Sequence, residues 1–203
     1  DNILELIPYI ILIVYCMFSL MLVSRSKYTI KKTLLIVIPF TLILAAINLY
    51  IFYYFGKNKF RTLFTITVFI PEALVTSFIS KRKGFSLATS ILNAYITFFI
   101  LFLTVSAFSF KLTNIFQEII MYIIAIPFLF VYLFKFYSYA HDEIEQTIPK
   151  YFRFLLIYAS LMFIEITIYQ IMIDAVEQAH ILRLEIFGVA ILSVYILSII
   201  FIS

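Results

Sequence analysis

The sequence has a single cysteine, Cys16, and only three glycines in 203 residues. One cysteine cannot form a disulfide within the chain, and it cannot build a cysteine-rich metal site. Many transporters bind their substrate at Gly-interrupted half-helices that recur in repeated halves of the chain. The scarcity of glycine and the lack of a detectable repeat make transport the weaker interpretation, although Pro71 and Pro127 can each break a helix.

The sequence also lacks the motifs of common catalytic sites. It contains no Gly-x-Ser-x-Gly nucleophile elbow, no His-Glu-x-x-His zinc motif, no phosphate-binding loop and no paired acidic motif of the intramembrane proteases. We therefore expect this segment to be non-catalytic and to hold neither a metal nor a cofactor of its own. Charged residues make up 13% of the chain, and we attribute its net charge of +4 to basic links between apolar segments, not to a nucleic-acid-binding surface.

Apolar residues are abundant instead. They make up 65% of the chain, with a mean hydropathy of +1.11, whereas soluble domains have about 45–50%. They form uninterrupted runs long enough to cross a ~30 Å hydrocarbon layer as helices, and they do not alternate as in a transmembrane barrel. The sequence predicts an all-α, polytopic transmembrane helical bundle. Its seven expected spans lie at residues 3–23, 33–55, 62–80, 85–110, 119–139, 154–173 and 186–202.

The basic residues between the spans predict the orientation in the lipid bilayer. With the N-terminus outside, ten basic residues fall on the cytoplasmic side and five on the outer side. The positive-inside rule therefore predicts N-terminus out and C-terminus in. The second link is the exception, because Lys57, Lys59 and Arg61 then lie outside. The chain reaches Ser203 within an apolar run, and we expect a cytoplasmic region to follow it.

Span three carries a proline and a carboxylate near its middle. The Pro71 ring removes a backbone donor and frees the carbonyl of Thr67, four residues back, which predicts a kink. Glu72 follows, and a carboxylate at that depth costs roughly 2.5–3.5 kcal/mol on insertion scales, so it should face the bundle interior. In span two, Asn48 is expected to donate a hydrogen bond between helices. Two interpretations of Glu72 stay open: a protonated packing group, or part of a signal site. The same helical face also carries Thr65, Thr76 and Ser80.

Span four and span six supply the expected partners of Glu72. One face of span four carries small polar residues, and the short link after span three lets this face meet Glu72. Span six contains a second intramembrane carboxylate, Glu165. We predict a ligand cavity that opens outward among spans three, four and six, with Pro71 and Pro127 as hinges. The polar residues of span four are Ser86, Ser90, Asn93, Thr97 and Thr104. The expected ligand-binding residues are Glu72, Asn93, Glu165, Thr76 and Thr97.

Two links contain clusters of potential metal ligands, which we interpret as solvated polar loops. They hold His141, Asp142, Glu143 and Glu145 after span five, and Asp174, Glu177, His180 and Glu185 after span six. On this interpretation neither cluster is a metal or phosphoacceptor site, and no histidine lies inside a span. The tyrosines at the end of span five are expected to be interfacial. They are Tyr132, Tyr137 and Tyr139.

Between residues 55 and 100 the sequence FGKNKFRTLFTITVFIPEALVTSFISKRKGFSLATSILNAYITFF resembles the membrane sensor region of GHKL-type bacterial sensor histidine kinases. The similar elements are the Phe-Gly before the second link, the basic Phe-Arg-x-Leu that opens span three, the Ile-Pro in its middle and the Lys-Arg-Lys-Gly that follows it. These elements cover under a quarter of the chain. Elsewhere the resemblance is in hydropathy and span number.

The resemblance implies a multi-pass sensor domain in a bacterial plasma membrane. In such two-component systems the domain senses an extracellular signal, often a quorum-sensing peptide, and passes it to a cytoplasmic histidine kinase domain that uses ATP and Mg²⁺. It further implies a homodimer and a response regulator of the LytTR DNA-binding type, so that this chain itself contacts no nucleic acid. The kinase motifs would lie beyond Ser203.

Two other classes of function remain open. A small-solute transporter, or a membrane subunit associated with an ABC permease, could hold its solute in the same polar interior. An embedded enzyme or accessory protein could use the two carboxylates, Glu72 and Glu165, to carry protons.

Overall fold

The computed structural model describes residues 6–109, 115–147 and 149–172, and nearly all of them are helical. Two π-helical segments, Thr65–Phe69 and Tyr132–Tyr137, join α2 to α3 and α5 to α6, and a short 3-10 turn at Pro149–Tyr151 precedes α7. The helices are α1 Ile7–Ser24, α2 Ile30–Phe64, α3 Ile70–Ile79, α4 Gly84–Ser109, α5 Ile115–Val131, α6 Ser138–Thr147 and α7 Phe152–Met172.

Six stretches in this described part are helical, long and apolar enough to cross a membrane. The prediction of an all-helical bundle with several helices long and apolar enough to span a membrane is therefore confirmed. The seventh predicted span, 186–202, and the acidic cluster around His180 lie outside the described residues. The six stretches are Ile7–Ser24, Ile30–Gly56, Thr62–Ile79, Gly84–Phe102, Ile119–Thr147 and Pro149–Ile168.

The links after spans two and five are largely helical. Within α2, Gly56 has φ of +80°, a left-handed conformation that turns the chain between spans two and three. After span five, the chain continues as α6 to Thr147, where the sequence predicted a polar loop. That prediction was wrong because the segment is amphipathic: Ser138, Ala140 and His141 are buried against the bundle while its other side stays in solvent.

Helices α1 and α4 form the centre of the bundle. Helix α1 packs against α2, α3, α4 and α5, and α4 packs against α1, α5 and α7. Their interior is rich in aromatic side chains, including the fully buried Tyr15 and Tyr95. Large apolar side chains cover the outer faces of α2, α5 and α7, where Leu35, Phe128 and Leu161 are exposed, as expected of surfaces that face lipid.

The α1–α2 and α3–α4 links meet at one end of the bundle, which we call the basic end (residues 25–27, 80–83 and 141–142). The backbone N–H of Lys27 donates to the Ile79 carbonyl at 2.9 Å, and that of Lys81 donates to the Arg25 carbonyl at 2.6 Å. The Ser80 hydroxyl donates to the Ser24 carbonyl at 2.7 Å. These bonds fix the ends of spans one and three to each other.

Candidate functional site

Glu72 lies deep inside the bundle. Its side chain is fully buried, and neither carboxyl oxygen has a partner among the described residues. One turn further along α3, the Thr76 hydroxyl is also fully buried and has no partner in the described part of the chain. Buried polar groups in proteins are normally hydrogen-bonded, and an unpaired group costs about 1–3 kcal/mol or more if it is charged. A bound ligand, or a proton on Glu72, can therefore supply the interactions that these two polar groups lack.

Helix α1 forms the wall opposite Glu72. The Cys16 thiol, 1% exposed, lies close enough to Glu72 to interact with its charge. The neighbouring Tyr15 is also buried, and its hydroxyl lacks a hydrogen bond within the described chain. The Thr97 hydroxyl of α4 lies near that of Tyr15 but donates to the Ala94 carbonyl at 2.7 Å. Polar groups from α1, α3 and α4 thus approach one another in the middle of the bundle.

The backbone just before Glu72 is irregular for an identifiable reason. Pro71 has no N–H to offer the Thr67 carbonyl, and Thr67 lies in the π-helical segment Thr65–Phe69. Asn48 of α2 supplies a replacement, since its Nδ2 donates to that carbonyl at 3.1 Å. Thr67 Oγ1 in turn donates to Asn48 Oδ1 at 2.7 Å. The prediction of a freed carbonyl at Thr67 and an interhelical donor at Asn48 is confirmed.

The polar face of α4 does not pair with Glu72 as expected. Spans three and four are instead joined two helical turns before Glu72, where the hydroxyls of Thr65 and Tyr95 hydrogen-bond at 2.6 Å. Asn93, 3% exposed, faces span five, and its Nδ2 donates to the Tyr137 hydroxyl at 3.2 Å. The described residues of α4 therefore supply no hydrogen bond to Glu72, and α3 instead packs against α1, which also packs against α4.

A buried hydrogen-bond chain continues from Tyr137 to His141. The Tyr137 hydroxyl lies 3.0 Å from His141 Nδ1, and His141 Nε2 lies 2.9 Å from the Ser86 hydroxyl. Because Tyr137 accepts from Asn93, its own proton is free to go to Nδ1, which leaves the imidazole proton on Nε2 to donate to Ser86. We name these four residues, Asn93, Tyr137, His141 and Ser86, the α4–α6 chain.

The interpretation of His141 as a solvated loop residue was therefore wrong. Its side chain is 3% exposed, and it lies within the membrane-length helical stretch Ile119–Thr147. The available signal was the four-residue spacing of Tyr137 and His141, which places both on one helical face. The polar residues after His141 favoured a loop, so this helical spacing was not used.

Next to His141, Asp142 holds two arginines at the basic end. Arg82 Nη2 donates to Asp142 Oδ1 at 2.7 Å, and Arg25 pairs with the other carboxyl oxygen. The Arg82 side chain is only 3% exposed, and this burial lowers the pKa of its guanidinium from the ordinary value, against the opposing charge of Asp142. Asp142 of α6 thus connects α6 to the α1–α2 link through Arg25 and to the α3–α4 link through Arg82.

The other predicted site residues are only partly placed. Glu165 belongs to α7, but its side chain lies outside what the structure describes. Pro127 lies inside α5, five residues before the π-helical segment Tyr132–Tyr137. In residues 6–109, 115–147 and 149–172, no group of three or more His, Cys, Asp or Glu could hold a metal ion.

Comparison with known proteins gives no family. No protein-family model matches the sequence, and no significant match was found among curated proteins or among solved structures. The residues themselves therefore carry the functional argument.

The arrangement at Glu72 is suited to binding and to gain or loss of a proton, because a buried carboxyl group lies beside the buried Cys16 thiol. Both events change the charge inside a helix that begins at an irregular segment and ends at the Ser80–Ser24 contact.

Proposed function

We propose that this chain is the membrane sensor domain of a bacterial two-component histidine kinase, and that its signal acts at Glu72. The observation that carries the proposal is the fully buried Glu72 carboxyl group, whose two oxygens have no partner in the described part of the bundle. The identification of the attached enzyme as a kinase is supported by the sequence resemblance at residues 55–100 alone.

A ligand at Glu72 can act as a signal only if it favours one helix arrangement over another. A cationic or amide group from an extracellular ligand, such as a peptide, would satisfy the carboxylate and stabilise its charged form. Without the ligand, the protonated and neutral form of Glu72 has the lower free energy in the bundle interior. The two states differ by one charge in the middle of span three, so they need different packing against α1.

Span three offers a route from this site to the basic end. Glu72 and Ser80 lie at opposite ends of α3, and Ser80 contacts the Ser24 carbonyl. The next residues, Arg82 on one link and Arg25 on the other, both hold Asp142. A shift of α3 against α1 would therefore alter the packing of α6 and the α4–α6 chain, with the irregular segment before Pro71 as its pivot.

In this proposal the N-terminus lies outside and the basic end faces the cytoplasm, as the distribution of Lys and Arg favours. The protein acts as a homodimer that passes the signal to a kinase region using ATP and Mg²⁺, and from there to a response regulator.

The first test is the reading frame of the gene after the codon for Ser203. An in-frame kinase domain supports the proposal, and a stop codon contradicts it. If the kinase is present, membrane vesicles with the full-length protein are treated with culture supernatant, and autophosphorylation is measured. Glu72→Gln should make phosphorylation insensitive to the supernatant. Glu143→Gln, at an exposed carboxylate of α6, is the matched control and should respond like the original protein. A normal response of Glu72→Gln removes Glu72 from the site.

A transporter is the second candidate, and the two π-helical segments favour it because transporters bind solutes at interrupted helices. The two functions differ in flux. In proteoliposomes under an imposed pH gradient, a proton-coupled transporter would dissipate the gradient through Glu72, whereas a sensor domain would leave it intact.

A further inference from the structure

A second candidate site lies at the basic end, away from Glu72. It is a cavity of about 480 Å³ whose lining includes Lys27, Lys81, Arg82, Lys83 and Gly84. None of the described residues that line it is acidic. A concave surface with several cations and no acidic side chain has the charge that an anion requires.

Arg82 gives the cavity donors that nothing in the described chain uses. One of its nitrogens, Nη2, is bound to Asp142, but Nε and Nη1 are buried and have no hydrogen-bond partner. Asp142 cannot fully compensate this charge because it also pairs with Arg25. A guanidinium presents its donors in a planar fork that fits two oxygens of a phosphate or carboxylate group. The charge of Arg82 and its two unused donors, which lie on different edges of the guanidinium, therefore favour an anion at this cavity.

The backbone at the same place is also suited to an anion. Helix α4 begins at Gly84, and the first N–H groups of a helix have no acceptor within it and carry its positive dipole end. Gly84 has φ of +58°, and a Cβ built on it would meet open space. The glycine is thus required by its left-handed backbone conformation, and it leaves the cavity open.

We propose that this cavity binds the phosphate of an anionic phospholipid headgroup from the adjacent leaflet. The cavity lies where span three ends, at Ile79, and span four begins, at Gly84. Beside it, Phe78 and Phe85 expose 74% and 52% of their surfaces, which gives apolar surface for acyl chains. Free inorganic phosphate has the same chemistry but would make no use of this surface. The inference is independent of the function proposed for Glu72.

The test compares two pairs of exposed lysines with equal charge. The variant Lys81→Gln/Lys83→Gln removes two cations from the cavity lining, and Lys31→Gln/Lys32→Gln removes two from the start of α2, which does not line it. Each purified protein is titrated in detergent with phosphatidylglycerol, and bound lipid is counted by native mass spectrometry. Phosphatidylcholine and inorganic phosphate are titrated in parallel. Circular dichroism checks that all variants are folded.

The cavity variant should lose phosphatidylglycerol affinity by about tenfold or more, as expected for two basic side chains near an anionic headgroup, while the α2 variant loses much less. Binding of inorganic phosphate without lipid, with the same dependence on Lys81 and Lys83, would retain the anion site but assign it to soluble phosphate. Equal losses in both variants would mean general surface attraction, and no loss in either would mean no site at the cavity; both results overturn the proposal.

Discussion

Asn48 and Thr67 exchange two hydrogen bonds between spans two and three, at 3.1 Å and 2.7 Å. The carbonyl that Asn48 reaches is the one that Pro71, four residues later, has no N–H to serve. A side chain on a neighbouring helix therefore compensates a backbone defect inside the membrane, where no bulk water can do so. This contact anchors the irregular segment that precedes Glu72.

The first prediction concerns this anchor. Asn48→Leu should lower the free energy of unfolding by about 1 kcal/mol, a typical size for interhelical hydrogen bonds in membranes. Thr41→Val is the control, because the Thr41 hydroxyl donates to the Val37 carbonyl of its own helix. The measurement is SDS-titrated unfolding followed by circular dichroism.

Combining Asn48→Leu with Pro71→Ala sharpens this test. Alanine at position 71 restores the backbone N–H, which can then satisfy the Thr67 carbonyl. The cost of losing Asn48 should therefore be smaller in the Pro71→Ala background. An equal cost in both backgrounds would show that Asn48 does not compensate for the proline.

The sequence was sufficient to predict this anchor because its causes are local. A proline at position i of a helix cannot donate a backbone hydrogen bond to the carbonyl of residue i−4. A side-chain amide in an apolar span needs a hydrogen-bond partner. The burial of Glu72 was predictable for the same reason. Its position against Cys16 of α1, instead of the polar face of α4, was not, because the packing order of helices depends on their whole surfaces.

The second prediction concerns the two arginines at the basic end. Asp142→Asn should destabilise the protein by about 3 kcal/mol, because it removes the counter-charge that is hydrogen-bonded to the buried Arg82. Glu143→Gln, which changes the neighbouring exposed carboxylate, should have little effect. Both are measured by the same SDS titration.

The double variant Asp142→Asn/Arg82→Met distinguishes the charge effect from a loss of packing. If the cost of Asp142→Asn comes from an uncompensated cation, removing that cation should recover part of the stability. A double variant that is less stable than Asp142→Asn alone would contradict this explanation.

The third prediction concerns the α4–α6 chain. Tyr137→Phe removes the hydroxyl between Asn93 and His141 and should cost about 1–3 kcal/mol, since it leaves both of these buried groups without that partner. Tyr139→Phe makes the same chemical change at a 65% exposed side chain and should be nearly neutral. Similar costs at the two positions would argue against a structural role for the chain.

The α4–α6 chain was hidden in the sequence by the neighbours of His141. Most of the next five residues have acidic or amide side chains, which made a solvated loop the natural interpretation. In the structure, the helical segment after span five extends to Thr147, and one side of it is buried against the bundle. Which side is buried depends on Ser86 and Asn93, more than 40 residues away in sequence, and local patterns carry no such information.

The fourth prediction concerns orientation. Lys59 follows the Gly56 turn, while Lys83 lies at the basic end, so the two residues should be on opposite sides of the membrane. In a Cys16→Ala background, Lys59→Cys should react with a membrane-impermeant maleimide in intact cells. Lys83→Cys should react only after permeabilisation. The reverse pattern would invert the orientation, and labelling of both in intact cells would contradict the bundle topology.

The most direct test of a signal that acts at Glu72 is the alkylation rate of Cys16, its neighbour on α1. N-ethylmaleimide is added to membranes containing the full-length protein, with and without culture supernatant, and modification of the Cys16 peptide is followed by mass spectrometry. Because Cys16 is 1% exposed, we expect slow alkylation without signal, a changed rate with signal, and no signal-dependent change in Glu72→Gln. A rate that does not respond to the supernatant, or that responds equally in Glu72→Gln, would contradict the account.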